Sequence, residues 1–150
     1  MVKAIPAERG RSGPTLAMLC RQLARRVARE ARDELTRSGF PDLVLGQSAI
    51  LVLLLGAPKR ASELAVELRQ TKQALNHVLK DLEVRGCLRR TADPDDGRAR
   101  LIELTPRGRR AAVVSIRVAD RAERRWASVL GRAELEQVKH LLARLLESAE

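Results

Sequence analysis

The chain has 150 residues, 45% of them apolar, and its 29 Lys and Arg against 19 Asp and Glu give a formal charge of +10. That length suits one domain with a single core, folded without disulfides, and the cation excess favours polyanionic partners such as nucleic acid or an acidic surface. Three classes fall away: the two distant cysteines, Cys20 and Cys87, form no C-x-x-C and suit a reducing cytoplasm; AILVLLLGA falls short of the roughly 20 residues that span a bilayer; and no Gly-rich phosphate loop, nucleophile elbow or H-E-x-x-H marks an enzyme.

The opening MVKAIPAERGRSGP has no apolar stretch and is not read as a signal peptide. Its Gly, Pro and Arg predict a loose tail over residues 1–14. From Thr15 to Ser38, Leu16, Leu19, Leu23, Val27, Ala31 and Leu35 recur by threes and fours with arginines between them, which predicts an amphipathic helix ended by Gly39 and Pro41. Phe40 and Trp126 are the only aromatic residues and there is no Tyr, so the expected core is aliphatic.

Residues 46–55, GQSAILVLLL, are apolar nearly all round and predict a helix buried on most sides, broken by Pro58. Residues 61–68, ASELAVEL, place Leu64, Ala65 and Leu68 on one face of a short helix. After the linker RQT, Thr71 is a hydroxyl cap for the next helix, KQALNHVLKDLEVRG. Leu75, Val78, Leu79 and Leu82 mark its inner face, Gln73, Asn76, His77 and Lys80 its outer one, and Gly86 its end.

CLRRT and RLIEL then read as two strands of a hairpin, with the polar tip ADPDDGRA between them. Leu88, Ile102 and Leu104 are expected to face inward, Arg90 and Glu103 to face water. From Pro106 the chain is helical again, with Ala111, Val114, Val118, Ala122, Trp126 and Val129 as one stripe. Gly131 interrupts it, and Leu135, Val138, Leu141, Leu142, Leu145 and Leu146 mark a last helix that needs a partner surface.

Two helices joined by a three-residue linker form a helix-turn-helix, and the B-DNA major groove admits one α-helix. The amides of Gln73 and Asn76 can pair both edges of adenine; His77 and Lys80 can reach guanine acceptors or phosphate. Any surface helix keeps polar residues outward, so that pattern alone also fits a plain solvated face. The tip adds to it: Asp96 can pair with a neighbouring arginine and hold the turn, leaving the other of Arg98 and Arg100 free to enter a minor groove.

DGRARLIELT, residues 96–105, resembles the wing signature D-x-R-x5-L-T of MarR-type transcriptional regulators. The likeness extends to ASELAVEL, to LKDLEVRGCLRR and to TPRG, and covers nearly all of the chain from Thr15. It implies a mainly α fold with a small β-hairpin wing: a winged helix-turn-helix over residues 41–106, and a helical dimerisation region from 15–40 and 107–150. It also implies a cytoplasmic homodimeric repressor on a palindromic double-stranded DNA operator, with no cofactor, no membrane and no enzymatic activity. The recognition helix (71–85) would enter the major groove through Lys72, Gln73, Asn76, His77 and Lys80. Thr71 at its start would hold a phosphate. In the wing (91–100), Asp96 would be support, Arg98 the minor-groove reader and Arg100 a backbone contact. Many members release DNA on binding a small, often aromatic or phenolic, effector between the two lobes. Without Tyr, no residue of this chain is assigned to such a ligand, and Asn76-His77 departs from the small hydroxyl residue and Arg of many members, so the operator is this chain's own. The competing reading is a helix-turn-helix-derived protein-interaction module without specific DNA binding. Cys20 and Cys87 are read as structural thiols, and His77 and His140 as too isolated to bind metal.

Overall fold

The structure, a computed structural model, describes residues 13–148. Most of the expected tail therefore lies outside the described residues. In chain order the elements are α1 (Leu16–Arg37), α2 (Leu45–Leu53), β1 (Lys59–Arg60), α3 (Ala61–Glu67), α4 (Lys72–Val84), β2 (Leu88–Asp93), β3 (Asp96–Leu104), α5 (Pro106–Leu130) and α6 (Arg132–Glu147). The strands form one antiparallel sheet in the order β1-β3-β2. This is a mainly helical winged-helix fold.

Its core is aliphatic apart from Phe40. Leu35 at the end of α1, Ile50 and Leu51 of α2, Leu64 of α3, and Leu75, Leu79 and Leu82 of α4 are all essentially inaccessible to water, and the sheet adds Leu88, Ile102 and Leu104. Each fully buried Leu or Ile stabilises the fold by about 1.5–3 kcal/mol, so α4 is anchored firmly by its inner face. The nearly all-apolar α2 buries Ser48, Ile50 and Leu51 and half-buries Val52 and Leu53, while Gly46 and Ala49 stay exposed, so it is less enclosed than its composition predicts.

The hairpin departs from expectation at its tip. The strands run on through the polar segment, leaving only Pro94 and Asp95 between them, and an irregularity in register falls between Ala92 and Asp93. The Asp93 carboxylate accepts the Asp95 N–H at 3.0 Å, an Asx turn that replaces a long loop. Arg90 is exposed, as expected, and also pairs with Glu83 of α4 at 3.1 Å. β1 was not predicted: two residues after a proline carry no alternation to detect.

The base of the wing is closed by Thr105. Its hydroxyl donates to the Gly86 carbonyl at 2.6 Å and accepts the Gly108 N–H at 3.1 Å, capping α5 while binding it to the end of α4. α5 is bound to α1 by ion pairs, Arg121 to Glu34 at 3.3 Å and Arg125 to Glu30 at 2.9 Å. Outward-facing apolar side chains remain along the first half of α1 (Leu16, Leu19, Leu23) and along α6 (Val138, Leu141, Leu145, Leu146). Cys87 is buried; Cys20, read as a core thiol, is half-buried beside Leu23 and Trp126 in an open apolar cavity.

Candidate nucleic-acid interface

α4 owes its orientation to one apolar face. Leu75, Leu79 and Leu82 are buried at spacings of four and three, which turns the opposite face outward. Thr71 caps it, its hydroxyl oxygen accepting the Ala74 N–H at 3.2 Å. Lys72, Gln73, His77 and Lys80 are exposed and Asn76 is half-buried. The side chains of Lys72, Gln73, Asn76 and Lys80 make no hydrogen bond or ion pair among the described residues, so their donors and acceptors are available to a partner.

The far end of α4 is held by charge. Arg85, just past the helix, pairs with Asp81 at 2.9 Å and with Asp42 of the α1–α2 connection at 3.7 Å. Asp42 also binds Arg107 of α5 at 2.8 Å, and the Arg107 guanidinium lies 5.1 Å from the centre of the Phe40 ring. Arg85, with Gln47 donating to the same carboxylate, holds the Asp81 carboxyl below its ordinary range against the effect of burial. Three elements thus converge on the last turn of the helix.

Arg98 and Arg100 are exposed near the wing tip, and neither side chain has a partner among the described residues. The support differs from expectation. Asp96 pairs with no wing arginine: it accepts the backbone N–H of Arg98 at 3.1 Å and stands 4.0 Å from Arg60. The main tether is Asp93, whose carboxylate, only 4% exposed, is bound by Arg60 Nε at 2.7 Å and Nη2 at 2.6 Å. The Asp95 N–H first, and the Arg60 guanidinium with it, hold the Asp93 carboxyl below its ordinary range although burial pushes it up. β1 makes this possible by pairing with β3, Arg60 opposite Leu101, which brings Arg60 under the tip. Sequence reasoning missed both residues, since 33 positions and a helix-turn-helix separate them.

The arrangement joins an unencumbered amide-and-cation helix face to a tethered hairpin carrying two unpaired guanidiniums. Such a surface can place a helix in a groove about 12 Å wide and arginines in a narrower one. No described helix is long and apolar enough to cross a membrane.

Comparison with known proteins agrees with the geometry. Residues 38–99 match a model of the MarR family. The chain is 28% identical over 110 residues to the transcriptional regulator HosA of Escherichia coli O111:H-, covering 73% of this chain and 82% of that one. A probable transcriptional regulator from Pseudomonas aeruginosa is 30% identical, with 87% of this chain and 96% of that one covered and a TM-score of 0.69. A MarR family protein of Mycobacterium tuberculosis, solved in complex with salicylic acid, is 29% identical, with 89% and 97% covered and a TM-score of 0.60.

Proposed function

Since the chain belongs to the MarR family of winged-helix, DNA-binding transcriptional regulators, we propose that it acts as a homodimeric repressor on a palindromic operator. In this reading α4 enters the major groove through Lys72, Gln73, Asn76, His77 and Lys80. Thr71 holds a phosphate, Arg98 enters the minor groove, Arg100 meets the backbone, and Asp96 and Asp93 shape the wing. The dimer is built from α1, α5 and α6, so that two copies of α4 face successive half-sites. A small-molecule effector releases the DNA. The salicylic acid bound by the mycobacterial relative supports such a ligand.

The observation that carries the reading is the presence of two unengaged polar sets on one fixed scaffold: the outer face of α4, and Arg98 and Arg100 of the wing. Solvated polar residues alone do not account for a wing whose tip is tied down by a buried carboxylate.

The test begins with duplexes selected from a random pool by the full chain. On the selected site, Arg98→Ala should lose about 1–3 kcal/mol of affinity at fixed salt while remaining folded. Gln73→Ala and Asn76→Ala should relax base preference more than they weaken binding to random DNA. Unchanged affinity of the Arg98 variant in a shift assay would remove the wing from the interface; a loss uniform across sequences would make the amides phosphate contacts.

A further inference from the structure

α5 carries its arginines in two conditions. Arg107, Arg121 and Arg125 are each committed to a carboxylate, on Asp42, Glu34 and Glu30 respectively. The side chains of Arg109, Arg110 and Arg117 have no hydrogen-bond or ion-pair partner among the described residues. These three line a single cleft of about 570 Å³ with Phe40, Val113 and Val114, and no Asp or Glu lines it.

Phe40 and Val114, 4% and 8% exposed, form the floor of the cleft. Arg110 and Arg117 lie seven residues apart on the same helix face, about 10 Å along its axis, with Arg109 beside the first. Three like charges around one recess repel one another and favour any anion that enters. One guanidinium suffices for one carboxylate; three spread over two turns, above an apolar floor, exceed what a monoacid can engage.

We propose that this cleft binds a small organic polyanion: an apolar or aromatic body bearing two or more carboxylate-like charges. The body lies on Phe40 and Val114, and the charges are gripped by Arg109, Arg110 and Arg117. The site also has a route to the DNA-binding face. The Phe40 ring that would carry the ligand also carries Arg107, whose partner Asp42 is shared with Arg85 at the end of α4. That consequence for DNA rests on the effector reading above; binding in the cleft does not.

Benzoate, isophthalate and trimesate hold the ring constant and add one carboxylate at each step. Titrated calorimetrically into the full chain at fixed ionic strength, they should bind with affinity rising roughly fivefold per carboxylate, the upper range of an exposed ion pair. Arg109→Gln and Arg117→Gln should each reverse about one such step for trimesate and change benzoate little. Arg25→Gln, which removes an exposed α1 arginine outside the cleft, should change neither. Equal affinity for the three acids, or losses in the cleft variants no larger than in Arg25→Gln, would overturn the proposal. A shift assay with the selected duplex separates the two readings. Charge-dependent binding that leaves DNA affinity unchanged supports the cleft and defeats the effector role. Release of DNA by these acids, equal in the parent and the Arg109→Gln/Arg117→Gln double variant, defeats the cleft and spares that role.

Discussion

Gly108 stands where α5 passes the turn between α4 and β2, and no larger residue fits there. A Cβ at this position would lie 2.0 Å from the Cys87 carbonyl oxygen and 3.2 Å from Leu104 Cδ2. The carbonyl cannot retreat cheaply, because it accepts the Thr105 N–H at 3.1 Å while the Thr105 hydroxyl binds both Gly86 and Gly108. TPRG is thus a joint: Thr takes part in four hydrogen bonds, Pro starts the helix, Arg107 reaches Asp42, and Gly leaves room for the crossing. Gly108→Ala would gain up to about 1 kcal/mol of helix propensity, yet overpacking against fixed backbone costs more. The variant should be destabilised by about 1–3 kcal/mol net, read as a lower urea midpoint with an unchanged slope. A midpoint at or above the parent's would mean that α5 can shift away from the strand at no cost.

The elements show how far charge, rather than apolar packing, arranges the DNA-binding half. α4 is fixed along its length by leucines, but its end and the wing are placed by Arg85, Arg90 and Arg60 on Asp81, Glu83 and Asp93. The Asp93 tether carries a signed pH dependence. Its carboxyl is held below the ordinary value of 3.8, so the stabilisation is complete above that value and is lost as pH falls through the lower, folded-state value. Between pH 6 and pH 3 the parent should therefore lose more stability than Asp93→Asn, which has no such proton to take up. Denaturant titrations at both pH values check this, and an equal loss would show that the wing tether does not contribute to folding. The helices, the Thr71 cap and the inner and outer faces of α4 were legible in the sequence because each rests on spacing within one segment. The tether was not, because Arg60 lies on a two-residue strand and its partner 33 residues away. For the same reason the sequence points to Asp96, which stands 4.0 Å from Arg60, for a role that Asp93 largely holds.

At the scale of the molecule, α6 does not account for itself. Of its 16 residues only Leu135 is buried, while Leu141, Leu145 and Leu146 are 47%, 52% and 66% exposed, and Leu141 and Leu145 line one groove with Leu16 of α1. A helix of this length is marginal in water without an apolar face to pack, and a contiguous exposed apolar stripe marks an interface. In the proposed homodimer a second copy would supply the matching surface, because a twofold axis buries the same patch of both copies. Two copies of α4 on such a dimer would meet successive half-sites, the second engaging at the high effective concentration set by the first. Leu141→Glu with Leu145→Glu would bury charge in that interface. The double variant should sediment as a monomer at concentrations where the parent is a dimer, and its affinity for a two-half-site duplex should fall at least about a hundredfold, towards its affinity for a single half-site. A parent that sediments as a monomer, or a double variant that keeps full affinity for the paired site, would separate operator recognition from dimerisation and require one copy of α4 and one wing to supply it all.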